Sequence, residues 1–128
     1  MDVQVEVLKE LRDLAARLPH AVGSSVASTD GLLIAHDVRG VEPDMLAALS
    51  AAYLALGQQL AGALDRGAFR DTVTRAADGH VGVYAAGQSA LLTVLTGPDT
   101  NIGRLHLEAR GSADRIGALV DGALARLS

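Results

Sequence analysis

The chain has no cysteine and no tryptophan, and only two tyrosines and one phenylalanine among its 128 residues. Without cysteine it cannot form a disulfide framework, a thiol nucleophile or a cysteine-ligated metal centre. An aromatic share of 2% leaves no platform on which nucleic-acid bases could stack. The core must therefore be filled by Ala, Leu and Val, which bury less area each, so packing against a partner would supplement it.

Acidic residues outnumber basic ones by 15 to 11, so the formal net charge is −4; Lys9 is the only lysine, and no Lys/Arg cluster appears. A nucleic-acid binder needs a basic face that displaces counterions, so this class is disfavoured. The acidic, alternating start Met1–Glu6 does not resemble a signal peptide, and we expect a cytoplasmic location. No linker or low-complexity tract divides the chain, which predicts a single domain over residues 1–128.

Hydrophobic periodicity and turn residues predict three helices and five strands. Asp30-Gly31 and Asp78-Gly79 each lie between β-compatible runs and predict tight hairpins, and Gly87-Gln88 predicts a third turn. The almost wholly apolar run Ser89–Thr96 should be a central strand. The predicted helices are 3–18, 43–64 and 101–127, and the predicted strands are 22–28, 32–37, 69–77, 80–85 and 89–96.

The order helix–strand–strand–helix–strand–strand–strand–helix indicates an α+β fold. We expect a five-stranded antiparallel sheet with helices on both faces. Glycines in the last helix weaken it by about 1 kcal/mol each relative to Ala, which indicates close approach to neighbours or fraying. These glycines are Gly103, Gly111, Gly117 and Gly122.

The central helix carries no charged residue from Met45 to Leu64. A membrane span would explain this, but the adjacent glutamines Gln58-Gln59 would be costly in hydrocarbon. Burial on two sides, by the chain's own sheet and by a second copy, is the better explanation. We expect the sheet to cover the face formed by Met45, Leu49, Ala52, Tyr53, Leu56 and Leu60. The face that we assign to a homodimer interface is formed by Ala47, Ala51, Leu54, Ala55, Gln58 and Gly62.

Motifs that would carry chemistry do not occur in the sequence. There is no Gly-x-x-x-x-Gly-Lys-[Ser/Thr] loop, so we do not expect the chain itself to bind GTP. Ser24-Ser25 has no nucleophile-elbow context, and ordinary hydrogen bonding is the better interpretation. The histidines have no spacing typical of a metal site; they are His20, His36, His80 and His106. We therefore predict no enzymatic activity, no metal and no cofactor.

The motif order resembles the Roadblock family, named for dynein light chains and including MglB-like bacterial proteins. The resemblance covers nearly the whole chain. It is carried by Leu18–Gly23, by Ser28–Ala35, by the Ala-rich central helix with Gly57, and by Leu95–Gly97 followed by Asn101–Leu105. The resemblance implies the roadblock/profilin-like version of the α+β fold.

The resemblance also implies partners. It implies a homodimer in which the central helices pair and the third strands join two sheets into one. The joining segment would be Phe69, Arg70, Asp71, Thr72, Val73, Thr74 and Arg75. A small Ras-like GTPase, regulated or scaffolded by the dimer, is the implied partner. The Ala/Gly/Arg-rich composition is similar to actinobacterial members encoded beside a small GTPase and a sensor-kinase-like protein.

Two other functions remain open from the residues alone. The first is a ligand-sensing domain of the PAS or profilin type, which would require a roomy apolar pocket. The second is a purely structural assembly subunit with no effect on nucleotide turnover. In each case we expect no nucleic-acid partner and no direct membrane insertion, although partners could hold the protein at a membrane.

Overall fold

A computed structural model describes residues 2–127 and places three helices and five strands in the predicted order. The helices are α1 (Val3–Arg17), α2 (Pro43–Ala63) and α3 (Ile102–Ala125). The strands are β1 (Ala21–Ser28), β2 (Leu33–Asp37), β3 (Asp71–Ala76), β4 (Gly79–Ala86) and β5 (Ala90–Thr96).

All neighbouring strands are antiparallel, and their spatial order is β2-β1-β5-β4-β3. The apolar strand β5 is central, as predicted, and β2 and β3 form the two edges. Helices α1 and α3 contact each other and one face of the sheet, whereas α2 lies on the other face. The predicted α+β fold with helices on both faces is confirmed.

The face covered by α1 and α3 holds the larger of two cores. Helix α1 begins at Asp2, whose carboxylate accepts a hydrogen bond from the Gln4 amide, and α3 begins at Asn101, which caps the Arg104 amide. Apolar side chains at helical spacing then point to the sheet. The large side chains fully buried here are Val7, Leu11, Leu14, Val26, Tyr84, Leu92, Val94, Leu105 and Ile116.

A polar network also connects α1 to α3. Glu10 accepts hydrogen bonds from Arg115, from Arg17 and from the hydroxyl of the fully buried Ser112. Arg17 in turn forms a 3.1 Å ion pair with Glu108 of α3. We call the sheet face that α1 and α3 cover the closed face. Because these groups pair across the two helices, the closed face is stabilised by charges as well as by apolar packing.

Two hairpins show how glycine is used differently at similar Asp-Gly signals. Gly31 has φ +88°, the left-handed conformation that the prediction required. The second turn was predicted one residue too late, since Ala76 pairs with Gly79 and the loop is Ala77–Asp78. Gly79 is required there for another reason, because a Cβ atom would collide with the Thr96 carbonyl oxygen.

The glycines of α3 also differ in whether close packing requires them. A Cβ on Gly117 would collide with the backbone at Gly87, so this glycine does mark a close approach between α3 and the β4–β5 turn. A Cβ on Gly111 or Gly122 would instead meet only the side chain of an arginine four residues later, Arg115 on α3 or Arg126 just after it. Close packing therefore explains Gly117 and does not explain those two.

Candidate interaction surface

The structure reverses the two predicted faces of α2. The face against the sheet is formed by Leu46, Ala47, Ser50, Ala51 and Leu54, which are all buried. Three residues assigned to the homodimer interface, Ala47, Ala51 and Leu54, therefore lie in the chain's own core, and that assignment was wrong. The small side chains of Ala47 and Ala51 let the helix lie close to its sheet, and a Cβ atom on Gly31 would be 3.6 Å from the Ala51 Cβ.

Apart from Leu46 and Leu54, the large apolar side chains of α2 lie outside instead, where the prediction expected small ones. They form an exposed apolar row that we call the α2 stripe: Met45, Leu49, Tyr53, Leu56, Leu60 and Leu64. Their exposed fractions range from 39% for Tyr53 to 64% for Leu56 and Leu60. Beyond Leu54 no α2 residue is buried, so the other predicted interface residues, Ala55, Gln58 and Gly62, remain exposed.

By length and composition alone α2 also qualifies as a candidate membrane span. One side of it nevertheless packs on the sheet through Ala47, Ala51 and Leu54. The other side of α2 exposes a contiguous apolar row. Single exposed apolar residues are normal on a protein surface, but contiguous rows of them are not. The α2 stripe is thus the feature of this surface that most needs a partner.

Tyr53 places the α2 stripe directly beside β3. Its hydroxyl accepts hydrogen bonds from Thr74 at 3.0 Å and from Thr72 at 3.5 Å. The hydrogen bonds from Thr72 and Thr74 lower the pKa of Tyr53. One turn further along, the Phe69 ring lies against Gly57, where a Cβ would collide with it. Helix and strand therefore form one continuous surface.

An open groove of about 490 Å³ runs along this junction. Its walls are the C-terminal half of the α2 stripe on one side and the start of β3 on the other. The side chains that define it are Leu56, Leu60, Leu64, Phe69 and Thr72. The groove is apolar along the helix and polar along the strand.

The two sheet edges are not equally open. At the β2 edge, the Gln4 side chain of α1 donates a 3.2 Å hydrogen bond to the Ile34 carbonyl oxygen. Along β3, residues 71–73 are half-buried and residues 74–76 are exposed. The predicted joining segment 69–75 thus lies at the less protected edge, where an unpaired strand invites pairing.

An ion pair that the sequence analysis missed ties β3 to the opposite face. Arg110 of α3 donates to one carboxylate oxygen, Oδ2, of Asp71. These residues are 39 positions apart, so no local spacing could have indicated their contact. The start of the edge strand is thereby connected to the closed face of the domain.

A sequence profile of the Roadblock/LC7 domain matches residues 7–96. The chain belongs to the Roadblock/LC7 family. An uncharacterized protein of Methanocaldococcus jannaschii is 29% identical over 98 residues, covering 76% of this chain and 85% of that protein. The family assignment made from the motif order is confirmed.

Solved structures agree with the fold of this Roadblock/LC7 domain. A structure of MglB in a tetrameric arrangement has a TM-score of 0.88 at 21% identity, over 96% of this chain and 93% of that one. A Roadblock/LC7 domain from Streptomyces avermitilis gives 0.78 at 26% identity, over 85% and 92%. Profilin IA of Acanthamoeba castellanii gives 0.61 at 11% identity, over 90% and 96%, which supports the roadblock/profilin-like description.

The remaining candidate groups of this Roadblock/LC7 domain are dispersed. Within residues 2–127, no group of three or more His, Asp or Glu side chains is placed to hold a metal ion. His106 hydrogen-bonds the Tyr84 hydroxyl at 3.1 Å, and burial raises the pKa of that tyrosine. Ser24 and Ser25 are buried in β1. The structure does not bring these residues together as a catalytic set.

Proposed function

We propose that this Roadblock/LC7 domain is a non-enzymatic, homodimeric regulator or scaffold of a small Ras-like GTPase in a signalling or polarity complex. The observation that carries the proposal is the α2 stripe lying beside the open edge of β3. This surface combines exposed apolar side chains with a strand that lacks a neighbour on one side. Both features are satisfied at once by a second copy of the chain.

A two-fold dimer explains the arrangement better than a single-sided contact. An isologous interface brings the same patch of two copies together, so the α2 stripe would cover itself. Its large, branched side chains can interlock, and the nearby β3 strands would remove each other's open edge. The similarity to MglB, which has been solved in a tetrameric arrangement, supports self-assembly of this fold.

The GTPase part of the proposal rests on family membership and on the similarity to MglB. The chain has no phosphate-binding loop, so the nucleotide would be held by the partner. An actinobacterial type of complex that includes a sensor-kinase-like protein is also part of the proposal; it rests on the Ala/Gly/Arg-rich composition, and the Streptomyces avermitilis domain supports it only through a shared fold at 26% identity. In that complex the dimer would be cytoplasmic, or held peripherally at the membrane by its partners.

The dimer is tested by light scattering during size-exclusion chromatography. The wild-type chain should elute with twice the monomer mass, and Leu56→Arg should elute as a folded monomer because it places two charges at the symmetric apolar contact. Leu107→Arg is the matched control, since Leu107 is 70% exposed on α3 and should leave the dimer intact. A wild-type monomer at tens of micromolar would overturn the proposal.

The partner is tested with the small GTPase encoded nearest to this chain's gene, loaded with GDP or with a non-hydrolysable GTP analogue. We expect co-elution with the dimer in one nucleotide state and a changed rate of GTP hydrolysis or nucleotide exchange. Leu56→Arg should weaken both effects and Leu107→Arg should not. A dimer that neither binds the GTPase nor changes its turnover would instead support a structural assembly subunit.

A ligand-sensing function is less well supported by the cavities. Pockets that enclose small molecules usually have volumes of about 300–1,000 Å³. Two cavities of this domain measure only about 140 and 190 Å³, and the larger groove of about 490 Å³ beside the α2 stripe is open to solvent. A small metabolite that raised the melting temperature by several degrees in a thermal-shift screen would revive this alternative.

A further inference from the structure

We propose that the two copies join β3 to β3 in one register, with Val73 opposite Val73 and Asp71 opposite Arg75 of the second copy. The proposal rests on the homodimer proposed above and specifies how its strands align. Three independent features of β3 point to this register: its main-chain pattern, its side-chain pattern and its charges.

The main chain of β3 leaves alternate residues free for pairing. On the β4 side, the Arg70 carbonyl accepts from the Ala85 amide, and Ala76 pairs with Gly79 across the two-residue turn. In an antiparallel pair such bonded residues alternate with residues whose amide and carbonyl point the other way. Asp71, Val73 and Arg75 therefore direct their main-chain groups to the open edge.

The side chains of these three residues share one face of the sheet. Val73 packs against the core under α3, and Asp71 contacts Arg110 of α3. The intervening Thr72 and Thr74 point to the other face, where both meet Tyr53. The segment 71–75 is thus symmetric in shape about Val73 and opposite in charge at its two ends.

Only one antiparallel register uses that symmetry. Two strands centred on Val73 place Asp71 opposite Arg75 twice, and all three outward-facing residues can form main-chain hydrogen bonds. Centring on Asp71 or on Arg75 would set like charges against each other, which destabilises cross-strand pairs. Centring on Thr72 would place Asp71 opposite Val73, and centring on Thr74 would place Arg75 opposite Val73. Neither of these registers forms an Asp71–Arg75 pair.

The charges required for this pairing are available in the monomer. Arg75 is exposed and has no ion-pair partner within residues 2–127. Asp71 already holds Arg110 through Oδ2, which leaves its other carboxylate oxygen for a second guanidinium. In the proposed register that second guanidinium would be Arg75 of the second copy.

Single cysteine substitutions along β3 can identify the register by which of them forms a disulfide between the two copies. The natural chain contains no cysteine that would interfere. Opposite residues in a bonded antiparallel pair have Cα atoms about 5.5 Å apart, within the span of a disulfide. Val73→Cys should thus give most of the disulfide-linked dimer under mild oxidation. Thr72→Cys, Thr74→Cys and Arg75→Cys are matched controls, because a shift of two or more residues separates their Cα atoms by about 8 Å or more.

Each outcome of the scan has one meaning. Dominant linkage at 72, 74 or 75, with the wild type still dimeric, would overturn the register and leave the homodimer standing. A dimer with no linkage at any of these four positions would overturn the register centred on Val73. A wild-type monomer would overturn the homodimer itself, so the two failures are distinguishable.

A charge-reversal pair tests the ion pairs separately. Arg75→Glu should raise the dimer dissociation constant roughly tenfold, because two attractive cross-strand pairs become repulsive. Arg70→Glu changes the same charge on the same segment, at a residue whose main chain bonds β4 instead of facing the open edge. An equal effect of both variants would show that net charge, and not the Asp71–Arg75 pairing, controls dimer affinity.

Discussion

The two faces of the sheet are built in opposite ways. On one face, α1 and α3 cover a large core and are tied to each other by Glu10, Arg17 and Arg115. On the other, α2 alone buries Leu46, Leu54 and three small side chains, and it leaves the large apolar side chains of the α2 stripe exposed. The first face therefore stabilises the monomer, while the second leaves apolar surface that the monomer does not cover.

The largest expected change in stability distinguishes two leucines that lie two positions apart on α2, Leu54 and Leu56. Leu54→Ala should lower the free energy of unfolding by about 2–5 kcal/mol, because Leu54 is 1% exposed and a cavity would remain. Leu56→Ala should change it by less than about 1 kcal/mol when measured where the chain is monomeric. Urea denaturation at low protein concentration measures both, and equal losses would contradict the orientation of α2.

On the closed face, Gly117→Ala should destabilise the monomer by about 1–3 kcal/mol. A Cβ there meets the backbone at Gly87, and backbone cannot move aside as a flexible side chain can. Gly122→Ala on the same helix is the control, since its Cβ would meet only the end of Arg126 at 3.7 Å. Thermal melts of the two variants should differ clearly, and a neutral Gly117→Ala would show that α3 is not packed so closely.

The polar network should make the closed face sensitive to acid. Burial acts to raise the pKa of Glu10, but hydrogen bonds from Arg115, Ser112 and Arg17 outweigh it and lower the pKa below the ordinary value of 4.5. Hydrogen bonds from Arg17 and Arg104 lower the pKa of Glu108 similarly. A lowered folded-state pKa gives stability that is present above 4.5 and is lost as the pH falls through the folded value.

We therefore expect urea midpoints to fall as the pH is lowered from about 5 to about 3. Glu10→Gln should reduce stability at neutral pH and flatten this part of the profile, because the residue no longer titrates. Asp13→Asn removes a charge from an exposed position on the same helix and should leave the slope unchanged. Parallel slopes for all three proteins would exclude the network as the source of acid sensitivity.

The smallest expected change in stability is for a glycine near the end of α2. Gly62→Ala should stabilise the monomer by about 0.5–1 kcal/mol, because alanine favours a helix and a Cβ there contacts nothing within 4 Å. Gly57→Ala is the matched opposite, since its Cβ would collide with the Phe69 ring and displace it. Circular-dichroism melts should therefore place these variants on opposite sides of the wild type.

The order of elements was predictable because it depends on local signals. Alternating strands, turn residues and helix caps are encoded by neighbouring residues, and the central place of β5 follows from its unbroken apolar run. The orientation of α2 was not predictable in this way. The residues of α2 are apolar on all sides of the helix, so hydrophobic periodicity could not indicate which face packs on the sheet. Small residues were no guide either, because they allow close packing on a sheet as well as on a second helix.

The candidate surface depended even more on contacts between distant positions. Tyr53 meets Thr74 across 21 residues, and Asp71 meets Arg110 across 39. Neither contact follows from spacing along one element, because both require the path of α2 and α3 over the folded sheet. The segment 69–75 could be named from the family resemblance, but its symmetry about Val73 has meaning only once β3 is known to be an edge.

The hydrogen bond from Gln4 to Ile34 partly protects the edge of the sheet that lies opposite β3. Two five-stranded sheets joined through β3 would form a continuous sheet whose outer edges are both β2. Each outer edge would already have its Ile34 carbonyl occupied by the first turn of α1. A further strand could pair there only by displacing the Gln4 side chain, so the outer edges of such a sheet would be less open than β3 is in the monomer.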